Sequence, residues 1–195
     1  MIAAIVPAAG ASRRMGRPKL LLPVGGTVVV ARVVKALRSG GVHRIVLVIA
    51  PGDIELTSWA GASEVELAVN PNPSRGMLST VVAGLEQLGG AVPEVLLVAP
   101  GDLPRLTSAD VRRLLAARSE RDAGLAVPVF RGRRGHPLAI ARRLIAEVLI
   151  LDPEVGLRQL LALHPDELCE VESDSPGVLA DLDTPEDYQR LLSEG

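Results

Sequence analysis

The sequence predicts a three-layer α/β/α fold with a mainly parallel sheet, and three observations carry that prediction. Several runs are apolar along almost their whole length, as in "IAAIV" (2–6), "HRIVLVIA" (43–50) and "EVLLVAP" (94–100). Strands of this kind are buried on both faces, the condition of parallel strands covered by helices. Segments of helical spacing alternate with these runs, and right-handed crossovers then put helices on both sides of one sheet. Loops rich in glycine and proline follow the ends of the strands, where open sheets of this class bind their ligands.

Taken in order, the first strand covers 2–6 and stops at Pro7. A helix over 27–37 ends near Gly40-Gly41, and the strand at 43–50 follows. "EVELAV" (64–69) is a shorter strand, and "MLSTVVAGLEQL" (77–88) has helical spacing that stops at Gly89-Gly90. After the strand at 94–100, "TSADVRRLLAARS" (107–119) opens on Thr107, a residue type whose hydroxyl satisfies the first free amides of a helix. "AGLAVPVF" (123–130) is strand again. Beyond Arg131 the pattern loosens into a basic turn, short helices at 142–149 and 156–163, a strand near 168–172 and a last helix from about Thr184. No repeat, low-complexity tract or linker divides the 195 residues, which predicts a single domain.

Composition narrows the function classes. Hydrophobic residues make up 48% of the chain but aromatics only 2%, so the core must be built from Val, Leu, Ile and Ala. Net charge is −2, from 21 basic and 23 acidic residues, without a block of one sign. That balance argues against a nucleic-acid or membrane-surface partner, either of which calls for a basic face. Cys169 is the only cysteine, so no disulfide framework or cysteine metal cluster forms within the chain. No leader pattern and no run of ~18 apolar residues is present, which predicts a soluble cytoplasmic protein.

The opening loop is the first chemical clue. Small residues at Ala8, Ala9 and Gly10 let backbone amides approach a ligand and form an anion-binding nest. Arg13, Arg14 and Lys19 add positive charge at the same place, and phosphate suits all of these. Two common phosphate loops are excluded: Ser12 stands where G-x-G-x-x-G needs glycine, and Lys19 follows Pro18 rather than glycine.

"AAGASRRMGRPK" (8–19) resembles the A-[AG]-G-x-x-x-R-M-G-x-x-K signature of nucleotidyltransferases related to molybdenum cofactor cytidylyltransferase. "NPNPSRGMLSTVVAGL" (70–85), "PGDLP" (100–104), "GRRGHP" (132–137) and "GVLADLDTPEDY" (177–188) are similar to further segments of that family, in the same order. The resemblance implies a Rossmann-like nucleotidyltransferase fold, with 1–130 as the nucleotide-binding half and 131–195 as the acceptor-side and closing half.

It also implies roles. Loop 8–16 wraps a triphosphate, with Ala8, Ala9, Gly10, Arg14 and Lys19 at the nucleotide, and Lys19, Arg14 and Asp102 serve catalysis. Asp102 follows a buried strand and suits Mg2+, which takes one or two carboxylates together with phosphate oxygens and water. In "DLDTP" either Asp181 or Asp183 could reach the metal, since alternation puts both on one face; the family pattern favours Asp183. Thr80 stands at the family's serine position near base or sugar. In the family A-A-G goes with cytidine nucleotides and A-G-G with guanosine, so Ala9 points to CTP. His136 and Arg134 are read as substrate contacts, the histidine weighed against a structural role. For Arg13 a solvated side chain is as good a reading as a functional one. Asp187 is read as structural in the first turn of the last helix, and His43 and His164 as surface residues.

The activity implied is Mg2+-dependent transfer of a cytidylyl group from CTP to the phosphate of molybdopterin, releasing pyrophosphate, with a molybdenum hydroxylase as a possible recipient of the product. Two rivals stand beside it. One keeps the site but uses GTP or another phosphorylated acceptor. The other is a non-catalytic accessory protein that carries nucleotide or cofactor to a molybdenum enzyme.

Overall fold

The computed structural model describes residues 1–10 and 15–193. Strands β1 (Ile2–Pro7), β4 (Arg44–Ile49), β5 (Glu66–Val69) and β6 (Val95–Val98) form the parallel heart of the sheet, in the order β5-β4-β1-β6. The chain starts in β1, winds outward on one side through β4 and β5, then crosses back to place β6 on the other side of β1. That reversal opens a crevice beyond the carboxyl ends of β1 and β6, the position where open α/β sheets bind ligands.

The sheet continues through β9 (Leu138–Ala141), antiparallel to β6 and to β7 (Leu125–Phe130), and ends at β10 (Leu168–Glu172), parallel to β7. The two-residue strand β8 (Arg133–Arg134) pairs with β7. Strands from residues beyond 130 thus complete the same sheet. A separate hairpin joins β2 (Pro23–Val24) to β3 (Thr27–Val28).

Alternation sorts the strand side chains into two layers. Ala4, Val6, Ile45, Leu47, Val95 and Leu97 pack on one face with helices α1 (Val29–Ser39), α2 (Ile54–Gly61), α4 (Ser108–Glu120) and α7 (Pro185–Ser193). Ala3, Ile5, Val46, Val48, Leu96 and Val98 pack on the other with α3 (Met77–Leu88), α5 (Arg142–Ile145) and α6 (Leu157–Leu163). Both faces of the central strands are therefore covered, as their uninterrupted apolar character requires.

Helix boundaries follow local chemistry. Thr107 caps α4: its hydroxyl accepts from the Asp110 amide, and the Asp110 carboxylate accepts in return from the Thr107 amide. The α1 amino terminus lacks a side-chain cap, and its Val29 and Val30 amides instead donate to the carbonyls of Leu22 and Leu20, at 3.1 and 2.9 Å. Those bonds fix the backbone immediately after Lys19. Asp53 caps α2 by accepting from the Leu56 amide. None of the described helices is long and apolar enough to cross a membrane.

Candidate active site

Three loops meet at the crevice. The Gly101 amide donates to the Pro7 carbonyl at 3.1 Å, holding the loop after β6 against the end of β1. The Leu182 amide donates to the Asp102 carbonyl at 2.9 Å, which brings the late segment 181–184 onto the same loop. A Cβ on Gly177 would lie 2.4 Å from the Arg105 carbonyl oxygen, so only glycine permits this close approach. The chain beyond 130 approaches the segment around Val178 in the same manner. The His136 amide donates to the Val178 carbonyl at 2.8 Å, and a Cβ on Gly135 would lie 2.3 Å from that same oxygen.

At the centre, Lys19 Nζ lies 2.5 Å from Asp102 Oδ2 and 2.9 Å from Asp183 Oδ1. The three side chains are 14%, 18% and 30% exposed, so the ions are only partly screened by water. Burial alone would lower the Lys19 pKa, but hydrogen bonds and charge attraction from Asp102, then Asp183, outweigh it and hold the ammonium above the usual lysine range. Lys19 is a fixed cation at neutral pH. The second oxygen of Asp102, Oδ1, is buried with no hydrogen-bond partner. Buried carboxylate oxygens seldom stay unpaired, so this atom, without a partner among the described residues, marks the place where a ligand would be accommodated.

The MobA-like NTP transferase domain matches residues 4–168. The chain belongs to this family. Molybdenum cofactor cytidylyltransferase of Escherichia coli (strain K12) is 30% identical over 190 residues, covering 94% of this chain and 92% of the relative. Nicotine blue oxidoreductase of Paenarthrobacter nicotinovorans is 31% identical over 202 residues, covering 98% and 96%. Among solved structures, a nucleotidyl transferase from Methanothermobacter is 26% identical and superposes with a TM-score of 0.83, covering 100% of this chain and 97% of that one. As a MobA-like NTP transferase this chain is a nucleotidyltransferase, and its mostly parallel sheet is the one its structural neighbours share.

The carboxylates of this MobA-like site fit a hard divalent cation. Such ions take oxygen ligands, with one or two carboxylates supplemented by substrate phosphates and water. Asp102 and Asp183 would provide the pair, and Asp102 Oδ1 is the buried oxygen without a hydrogen-bond partner. Among the described residues no cluster of three or more His, Cys, Asp or Glu forms a cage of its own.

The remaining predicted residues fall in different places. Ala8 is 5% exposed and its amide donates to the Val48 carbonyl at 2.8 Å, so this amide belongs to the sheet rather than to an anion nest. The part of the described loop that can face phosphate begins at Ala9 and Gly10, where Gly10 borders open space. Arg13 and Arg14 lie outside the described residues. Thr80 is 4% exposed, on the buried face of α3, and its hydroxyl accepts from Asn70 Nδ2 at 2.9 Å. The hydroxyl on the more open side is that of Ser79, which donates to the Gly76 carbonyl. Arg134 is exposed and pairs with Glu170 at 2.6 Å. Asp181 is exposed, whereas Asp183 is the one that meets Lys19.

His136 is half-buried with its Nδ1 lacking a hydrogen-bond partner. Burial pushes its pKa below the ordinary histidine value and the Asp102 charge offsets only part of this, so the imidazole is neutral at pH 7. Asn70, 1% exposed, was not singled out from the sequence. It donates to Ser79 and Thr80, accepts from the Asn72 amide, and so ties loop 70–76 to α3. Its signal was there: a polar residue directly after a strand, opening the second matched segment.

Asp187 locks the entry to α7 directly behind Asp183. Its Oδ2 accepts from the Asp183 and Thr184 amides and from the Thr184 hydroxyl, and Oδ1 from Arg190. Burial alone would raise its pKa, but these bonds prevail and bring it down to about 2. A depressed carboxylate stabilises the fold above its unfolded value and loses that contribution as pH falls towards 2. Asp187→Ala is therefore expected to cost ~1 kcal/mol at pH 7, the usual worth of a lost helix cap. In urea melts the gap to wild type should narrow between about pH 4 and pH 2; a gap that stays constant would remove the carboxylate from the explanation.

Proposed function

We propose that this chain transfers a cytidylyl group from CTP to the phosphate of a molybdopterin-type cofactor. The observation that carries the reading is the Lys19 ammonium set between Asp102 and Asp183 at the crevice where the opening loop meets the loop after β6. In that reaction an oxygen of the acceptor phosphate forms a bond to the α-phosphorus of the triphosphate. The bond from that phosphorus to the bridging β-oxygen breaks, and pyrophosphate leaves with the electron pair.

Catalysis of this kind is mainly positioning and neutralisation of charge. Ala9, Gly10 and the loop that follows, with Arg14, hold the triphosphate. Lys19 reaches an α-phosphate oxygen, where a compact ammonium can follow the charge as it builds. Asp102 and Asp183 would hold a divalent cation such as Mg2+, which when bound supplies positive charge to the phosphate oxygens. His136 and Arg134, on the segment that closes the site from residues beyond 130, face the acceptor, and a phosphomonoester suits a basic turn. The 1–130 part serves the nucleotide and the 131–195 part the acceptor, within one domain.

The test is pyrophosphate release with Mg2+ and each of CTP, GTP, ATP and UTP, with and without molybdopterin. Release with CTP that depends on the acceptor is expected. Preference for GTP would move the reading to guanylyl transfer, and no release with any triphosphate would overturn it in favour of a carrier.

Base choice gives a sharper check. Ala9 is half-buried in the opening loop, and a methyl group there would fill space that a pyrimidine leaves and a purine needs. Ala9→Gly is expected to raise activity with GTP relative to CTP by about tenfold, since one methyl group discriminates by ~1–3 kcal/mol. Competition between equal CTP and GTP measures it, and an unmoved ratio would remove Ala9 from base selection.

A further inference from the structure

We propose that Lys19 occupies the place of the divalent cation in the nucleotide-free site, so that metal binds well only after a triphosphate has drawn the ammonium away from Asp102 and Asp183. The inference deepens the transferase reading given above and rests on it for the identity of the triphosphate.

One ammonium spans both carboxylates, at 2.5 Å from Asp102 Oδ2 and 2.9 Å from Asp183 Oδ1. A divalent ion taking the same two oxygens at about 2.0–2.1 Å cannot share them with a lysine at these distances. Binding through the unpartnered Asp102 Oδ1 instead would set two cations side by side in a site where Lys19 and Asp102 are only 14% and 18% exposed, and water screens that repulsion poorly. Counting these three groups alone, the charge is −1 with the Lys19 ammonium in place and −2 once it has moved to a phosphate oxygen, and the affinity for a cation rises.

The exchange needs no rearrangement of the fold. Leu20 and Leu22 are held by the α1 amides, so the backbone stays while the flexible four-carbon stem of Lys19 swings. Until then the ammonium also keeps the two carboxylates together, which come from loops 81 residues apart in the chain (183 − 102) and would otherwise repel each other. Coupling of this kind is reciprocal: whatever the triphosphate does for the metal, the metal does for the triphosphate.

The experiment titrates Mn2+ into nucleotide-free protein and follows free Mn2+ by electron paramagnetic resonance. Lys19→Met and Lys19→Gln are each expected to bind Mn2+ about tenfold more tightly than wild type, a size ordinary for coupling between ligands. Lys19→Arg, which keeps a cation, should not gain. Adding Asp102→Asn to Lys19→Met should remove the gain. Lys19→Gln keeps a hydrogen-bond donor between the carboxylates, so one neutral variant remains if Lys19→Met folds poorly. Equal or weaker Mn2+ binding by the neutral variants, or a gain that survives loss of Asp102, would overturn the proposal. Pyrophosphate release by the wild type answers separately for the transferase reading: turnover without the Mn2+ effect leaves that reading standing and this inference refuted, and the converse holds equally.

Discussion

Asp102→Asn is expected to lower nucleotidyl transfer by at least ~100-fold, the scale on which single preorganised charged groups contribute to catalysis. The fold should survive. Asp102 stands in a loop beyond β6, and the tie to residue 182 runs through its backbone carbonyl, which the substitution leaves in place. Asparagine keeps the shape and one oxygen but removes the negative charge that faces Lys19 and would hold a cation. Circular dichroism and thermal melting should stay close to wild type while turnover collapses. Near-normal turnover in saturating Mg2+ would make Asp102 a turn former and nothing more.

Lys19→Ala is expected to lower kcat by about 100-fold or more while weakening CTP binding far less. Charge at the α-phosphorus matters most as its bonds change, and only interactions stronger in the transition state raise the rate. The variant also leaves Asp102 and Asp183 facing one another without their shared ammonium. Steady-state kinetics with CTP, together with direct CTP titration, separates the two effects. A rise in KM with kcat unchanged would make Lys19 a clamp for the ground-state phosphates.

The central strands were legible because burial on both faces writes itself as an unbroken apolar run: β4 and β6 lie within the predicted ranges, β1 runs one residue past its predicted end to include Pro7, and α3 coincides with 77–88. What escaped did so for local reasons. Helix α2 buries only Leu56 and Ala60, so its stripe is too narrow to register, although Asp53 before it is a helix-starting residue. Strand β9 is only four residues long and is bracketed by basic and proline residues that read as a turn. Its antiparallel run between β6 and β7 has no counterpart in a repeating βα pattern.

The site was legible as loops and not as contacts. Strand ends placed Lys19 and Asp102 on the same side of the sheet and the family resemblance favoured Asp183, but the ion pair of Lys19 with Asp183 spans 164 positions and no local pattern encodes it. Thr80 shows the opposite case: a hydroxyl at a matched position turns inward because its neighbours on the helix, Leu78, Val81 and Gly84, form the buried face. Ala8 likewise reads as loop from composition, yet extends the β1–β4 pairing by one amide.

The most direct measurement of the central claim follows the α-phosphorus itself. With Mg2+ and molybdopterin, label from [α-32P]CTP should pass to the acceptor, while label from [γ-32P]CTP should leave as pyrophosphate. Wild type should show that division, and Asp102→Asn and Lys19→Ala should both lose it. Label from the γ position on the acceptor, or no transfer from CTP or GTP at either position, would contradict nucleotidyl transfer as the work of this site.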